Sequence, residues 1–313
     1  MSESLKGQLL CSLAMVLVGS TVVVSKIIGQ DIEPFLATAL RHAAALPVFL
    51  LLMWGTGARF ARVSPHDALL LLVQAAAGSV GYSVLLIQGV RLATASDASV
   101  IAGTLPAVSA LFSVLFLGER PGLRMVLSIA LATVGVMAVA MSPEDGAQAS
   151  TRLQGIALVL GAIACEAVFI LANKRLSRPV PALALSTLMC AGGLLMSALA
   201  AWFAAPIALS TLSTPAVVGI AYYAWVPTVG GFLLWYAGSA RTSGARASLA
   251  TVWLPVSALL LSALFLGETI HTAQWLGFGC VVVAIVVAFR GGDDAGVAPG
   301  SRFSRKSVGE TGR

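Results

Sequence analysis

The stretch from Ala98 to Glu119, ASVIAGTLPAVSALFSVLFLGE, returns from Ala247 to Glu268 as ASLATVWLPVSALLLSALFLGE. The copies start 149 residues apart (98 to 247), and half of their aligned positions are identical. A passage of this length written twice marks an internal duplication, which constrains architecture before any single motif does. Shorter echoes keep the same order. GYSVLLIQGVR (81–91) aligns with GFLLWYAGSAR (231–241), placing Tyr82 opposite Phe232. GQLLCSLAMVLVGSTVVVSK (7–26) aligns loosely with GIALVLGAIACEAVFILANK (155–174). Shared apolar composition accounts for the loose pair. It does not account for LFLGE closing both long copies, with a shared Ala-Ser start and a shared Leu-Pro.

Composition identifies the solvent. The 313 residues are 58% hydrophobic and 10% charged, with a mean hydropathy of +0.94. A soluble domain carries about 25% charged residues to face water. Ten apolar stretches lie near 7–27, 34–54, 67–89, 95–117, 122–141, 153–173, 181–203, 214–238, 245–266 and 272–289. About 20 residues at 1.5 Å rise cross a hydrocarbon core of roughly 30 Å. Lipid offers no partner to backbone groups, so the open spanning solution is a helix. The first stretch is too long for a signal peptide's apolar region and reads as a retained helix.

Charge sets orientation. With the N-terminus inside and strict alternation, 15 of the 19 Lys and Arg residues fall on inner segments. Lys26, Arg91 and Arg152 fall outside, and Arg41 lies within a span. The positive-inside rule then puts both termini in the cytoplasm. The net charge of +6 is a topology signal rather than a nucleic-acid footprint. Five spans per half is an odd number, so the second half enters from the opposite side. The predicted fold is therefore an all-α integral membrane protein of ten transmembrane helices, arranged as two inverted five-helix repeats. The first repeat covers 1–141 and the second 153–290. An outer linker joins them at 142–152, and 291–313 is a polar, disordered cytoplasmic tail.

Few residues carry chemistry. Arg41 and Glu166 are the charges inside spans, about seven and about thirteen residues in from the outer ends at 1.5 Å each. A charge in hydrocarbon faces a cavity, a substrate or a partner. They are predicted to pair with each other or to meet a substrate, and Glu166 is a candidate for proton coupling. Snorkelling to the headgroups is the alternative for Arg41, and a structural hydrogen bond is the alternative for Glu166. Tyr82, Tyr222, Tyr223, Trp225 and Trp253 are candidate cavity walls, against core packing for any one of them. Pro106 and Pro255 match across the copies near the middle of spans four and nine. A mid-helix proline frees a carbonyl, so both are read as marking the level of a central cavity. Pro227 with Gly230-Gly231 predicts a broken stretch in span eight. Gly118-Glu119 and Gly267-Glu268 read as helix stops followed by an acid at the start of the next helix.

Other classes are not supported. Cys11, Cys165, Cys190 and Cys280 lie in apolar runs without CxxC spacing, and the three histidines are dispersed, so neither disulfides nor a metal site are expected. There is no GxxxxGK[ST] loop for ATP and no HExxH or paired-acid constellation for a membrane enzyme. No cofactor and no nucleic-acid partner are expected.

These residues resemble the EamA type of the drug/metabolite transporter superfamily. The resemblance rests on the ten spans, the doubled passage and its LGE endings. It also rests on Arg41 within ATALRHAAALPVFLL, where His42 replaces the usual aromatic; Gly19 with Ser25-Lys26 is a weaker match. It covers about 7–290. Spans five and ten follow the family's glycines loosely (Gly135, Gly277, Gly279). The resemblance implies a ten-helix fold and the export or exchange of small metabolites, often amino acids, or of drugs. The expectation is a secondary exporter of the inner membrane working by alternating access, with the lipid bilayer, a small-molecule substrate and protons as its partners. Multidrug or cation efflux is the alternative, and a non-transporting membrane subunit a more remote one.

Overall fold

The computed structural model describes residues 3–60, 63–118, 122–141, 147–178, 180–204, 212–242 and 250–290. The tail at 291–313, Glu119, the first part of the expected linker (142–146) and the start of the expected ninth span (245–249) lie outside these. Among the described residues all regular structure is helical. Seven helices are long and apolar enough to cross a membrane. In order they are α1 (Glu3–Asp31), α2 (Pro34–Thr56), the composite Pro65–Leu92, α7 (Leu123–Ala140), α8 (Ala147–Lys174), α9 (Ala182–Ala204) and the composite Thr214–Ser239. An eighth candidate is α5 (Ala95–Ala102) with α6 (Leu105–Leu117), bent by 48° at the break between them. Two further apolar helices are shorter in the described residues: α12 (Trp253–Leu266), entered through one tight turn at Ala250–Val252, and α13 (Thr272–Arg290). Trp54, Trp202 and Phe203 are each more than 70% exposed, a surface that water would not tolerate and acyl chains would.

Local sequence explains the boundaries. The composite Pro65–Leu92 consists of α3 (Pro65–Gln74), a wide π-helical turn (Ala75–Gly81) and α4 (Tyr82–Leu92). The composite Thr214–Ser239 repeats the plan as α10 (Thr214–Tyr223), a π-helical turn (Ala224–Gly230) and α11 (Gly231–Ser239). Ser64 caps the first, accepting from the Asp67 N–H, and Ser213 caps the second, accepting from the Ala216 N–H. Caps and π turns are again 149 residues apart (64 to 213, 75 to 224). The register of the duplication is thus 149 here as well, and pairing 81–91 with 231–241 is one residue out. In the second π turn Pro227 has no N–H to offer the Tyr223 carbonyl four residues back. The Thr228 hydroxyl supplies the donor at 2.8 Å. The broken stretch expected in span eight is this π turn.

The prolines act differently from a mid-helix break. Pro106 is in the first turn of α6, after the bend at Gly103-Thr104, and Pro255 is in the first turn of α12. Proline in a first turn costs no helix hydrogen bond. Pro255 instead fills space: a Cβ on Gly103 would lie 3.0 Å from its Cβ. Gly118 and Gly267 do end helices, at φ 67° and 65°, in the left-handed region where glycine has no Cβ penalty. Glu268, however, does not cap α13. Its carboxylate accepts from the Ala95 and Ser96 N–H groups at 2.9 and 2.8 Å and from the Ser96 hydroxyl at 2.7 Å. It caps α5, in the other half of the chain. Arg152, read as a linker residue, lies within α8.

The helices meet through glycine. A Cβ on Gly7 would lie 2.8 Å from the Gly238 carbonyl, and one on Gly238 would lie 2.7 Å from that of Gly7. The duplicated pair behaves alike: a Cβ on Gly155 would lie 2.7 Å from the Gly89 carbonyl, and one on Gly89 would lie 3.0 Å from that of Gly155. The first contact joins α1 to α11 near the start of α1. The second joins α8 to α4 beside Ala93, whose carbonyl receives the Lys26 ammonium from the far end of α1. Equivalent contacts therefore sit at opposite ends of the bundle. Gly135 of α7 and Gly277 of α13 form a third seam, where a Cβ on either would lie 2.8 Å from the other's carbonyl, whereas a Cβ on Gly279 would meet no described atom within 4 Å. Gly155→Val should therefore lower the thermal unfolding midpoint of the detergent-solubilised protein, through an overpacking cost of about 1–3 kcal/mol. Gly279→Ala should leave it unchanged or slightly raised.

Candidate functional site

Two adjoining chambers lie among α1, α2, the two π turns, α8 and α9. The first, of ≈ 100 Å³, is lined by Arg41, His42, Glu166, Phe169, Cys190 and Phe232, among others. The second, of ≈ 160 Å³, is lined by Val18, Thr21, Tyr82, Leu105, Tyr223 and Leu254, among others. Arg41, Gly78, Glu166, Thr228 and Phe232 border both. Each exceeds many times the roughly 10–15 Å³ that one water needs.

Arg41 ties the two π turns together. Its Nη2 donates to the Ser83 hydroxyl at 2.8 Å and to the Ser79 carbonyl at 3.3 Å, and its Nη1 to the Thr228 hydroxyl at 3.4 Å. The guanidinium also lies 4.4 Å from the Tyr223 ring centroid, a cation–π geometry. His42 holds it from behind. His42 Nδ1 faces the Thr38 carbonyl at 2.8 Å, which can only accept, so Nδ1 carries the proton and Nε2 accepts from Arg41 Nη2 at 3.2 Å. Arg41 is only 9% exposed, so it does not snorkel. Its Nε, buried, has no partner among the described residues.

Glu166 is the contrast. It borders both chambers, yet makes no hydrogen bond or ion pair with any described residue, Arg41 included. The site thus presents an anchored cation and a bare carboxyl across one space. The duplication is broken at both positions. Arg41 corresponds to Cys190 (41 + 149), and Glu166 to Val18 (166 − 148, in the register of Gly7 and Gly155). Both counterparts also line the chambers.

The remaining expected residues divide. Tyr82 and Tyr223 line the second chamber. Tyr222, Trp225 and Trp253 line neither. Tyr222 donates to the Ser20 hydroxyl at 2.9 Å and packs in an apolar cluster with Ile28 and Ile220. Trp225 is 55% exposed, with its indole N–H on the Ala44 carbonyl, and Trp253 is 49% exposed. Both face outward from the bundle. Of the prolines, neither Pro106 nor Pro255 lines a chamber, although their neighbours Leu105 and Leu254 do. The sequence reading missed Ser83, Thr228 and the anchoring role of His42. Serines and threonines are spread through all the spans, and nothing in their spacing points to a guanidinium 42 or 187 residues away. Ser83→Ala should destabilise the protein by about 1.5–3 kcal/mol, the range for a hydrogen bond to a charged group. Ser25→Ala removes a buried hydroxyl with no partner among the described residues. It should raise the melting midpoint in the same thermal assay.

Comparison with known proteins agrees with this architecture. The model of the EamA-like transporter family matches twice, over residues 5–141 and 153–290. A Bacillus subtilis (strain 168) protein described as the uncharacterized transporter YetK is 33% identical over 285 residues, 88% of this chain and 84% of its own. Protein PagO of Salmonella typhimurium (strain LT2) is 24% identical over 268 residues, 85% of this chain and 87% of its own. A crystal structure described only as that of a protein shares the fold with a TM-score of 0.61 at 19% identity, covering 91% of this chain and 96% of that one. With two family matches spanning both duplicated halves, the chain belongs to the EamA-like transporter family, within the drug/metabolite transporter superfamily, and is a multi-pass membrane protein.

Proposed function

We propose that the protein is a secondary active exporter of small zwitterionic metabolites such as amino acids, working by alternating access in the bacterial inner membrane. Ten spans form two inverted five-helix repeats, 1–141 and 153–290, with both termini in the cytoplasm. The observation that carries the substrate reading is the pairing of opposites around one space. Arg41 is fixed by Ser83, Thr228, His42 and Tyr223, while Glu166 borders the same chambers with no hydrogen-bond or ion-pair partner among the described residues. A carboxylate suits the guanidinium fork, and an ammonium group or a proton suits the free carboxyl. Tyr82, Phe169 and Phe232 give the rest of the substrate an apolar, aromatic wall. The equivalent glycine seams at opposite ends support the inverted arrangement, which lets the two halves exchange conformations around the site. Efflux of cations or drugs is the second reading, favoured by Glu166 alone, which is unpaired among the described residues.

Inside-out vesicles energised with a proton gradient and supplied with pooled amino acids and cationic dyes separate the two. The zwitterion reading expects amino-acid accumulation that falls by roughly tenfold or more, about 1.4 kcal/mol, in both Glu166→Gln and Arg41→Lys. Dye accumulation lost with Glu166→Gln but kept with Arg41→Lys would replace it with cation efflux. Accumulation indifferent to both substitutions would remove the site.

A further inference from the structure

At the end of the bundle that the charge count assigns to the outside, α5 is fastened to the second half of the chain by a dense polar cluster. Asp97, with no exposed surface, receives a two-point contact from Arg152: Nε to Oδ2 at 2.8 Å and Nη2 to Oδ1 at 3.0 Å. Arg152 Nη2 also donates to the Val139 carbonyl at 3.1 Å. Gln274 of α13 donates to Asp97 Oδ1 at 2.8 Å and to the Thr94 hydroxyl at 3.3 Å, while its own oxygen accepts from the His271 N–H at 2.8 Å. Glu268 closes the cluster on the first turn of α5.

The position of α5 gives this cluster a consequence. One end of the helix meets the central site: Ala102 and the next helical residue, Leu105, line the second chamber. The other end meets the outer surface. Thr94 and Arg152 together wall two outer hollows of ≈ 590 and ≈ 400 Å³. So α5 and its clasp stand between chamber and exterior. The helix is also a separate piece, set off from α6 by the 48° bend at Gly103-Thr104. Its fastening differs in kind from the glycine seams. Backbone-to-backbone seams are held by packing alone, whereas ion pairs and hydrogen bonds can be exchanged for water. A buried ion pair adds little net stability over apolar packing, so a clasp of this chemistry is suited to reversible closure.

We propose that Asp97, Arg152, Gln274 and Glu268 form the outer latch of the transport cycle. The latch is closed in this conformation and must separate before the chamber reaches the outer side. The proposal rests on the transporter reading, but its test does not. The thiol introduced by Ala102→Cys is labelled in intact cells with a membrane-impermeant methanethiosulfonate, above the background of the native cysteines. An open state that is normally minor, at roughly 0.1–10%, becomes populated when the latch is weakened. Labelling should then rise about tenfold with Asp97→Asn or Glu268→Gln. The exchange of Asp97→Arg with Arg152→Asp should return it toward the parent rate. The thiol of Ala132→Cys, buried between α7 and α13, must stay protected, which excludes unfolding as the cause. Labelling at the parent rate in inserted latch variants overturns the latch. Vesicle flux with unchanged labelling keeps the transporter and removes the latch. Faster labelling without flux of any compound keeps the latch and removes the transporter reading.

Discussion

The structure depends on helices approaching until backbone touches backbone. In lipid no hydrophobic force drives one apolar helix against another, because acyl chains are as apolar as leucine. Association then comes from close packing and hydrogen bonds, which small residues permit. The reciprocal contacts of Gly7 with Gly238, Gly155 with Gly89 and Gly135 with Gly277 fix the distances between α1 and α11, α8 and α4, and α7 and α13. With these seams set, the π turns of both halves face the interior and the chambers form between them.

Duplication supplies the frame and its violation supplies the site. The serine caps, the π turns and two of the seams obey the repeat. Arg41 and Glu166 do not: their counterparts are a thiol and a valine lining the same space. A symmetric pocket would place like charges together around the axis. Confining the cation to the first repeat and the carboxyl to the second gives the cavity a polarity, which a substrate with two different ends can use. The same division of labour appears at the start of α5, where Asp97 and Thr94 of the first half meet Arg152, Glu268 and Gln274 of the second.

Polar groups in this chain serve three distinct purposes. Thr228 repairs what Pro227 removes, a local task within one helix. Ser83 and His42 share the charge of a buried guanidinium, a task spanning two helices. Glu268 satisfies the open N–H groups at the start of a helix far along the chain, where the helix dipole also favours its charge.

The apolar stretches, the duplication and the left-handed glycines 118 and 267 are visible in the sequence because each follows from a local rule: a length, a repeated string, a residue without a Cβ. Arg41 and Glu166 were visible too, since charge within an apolar run is conspicuous. The aromatic candidates fared unevenly. Tyr82 lines a chamber, while Trp225 and Trp253 face outward. Residue type along a helix does not say which side faces the bundle when every side is apolar, because lipid-facing and core-facing residues then look alike. Glu268 shows the same limit for polar groups: the sequence places it next to α13, and only the fold brings α5 within its reach. By itself the sequence determined that the chain spans a membrane, that it repeats and where its charges stand. Tertiary structure alone decided which helix faces meet, which hydroxyls hold Arg41, and that Glu166 has no hydrogen-bond or ion-pair partner among the described residues. Those outcomes depend on rotation about helix axes and on contacts more than a hundred residues apart, neither of which a local pattern encodes.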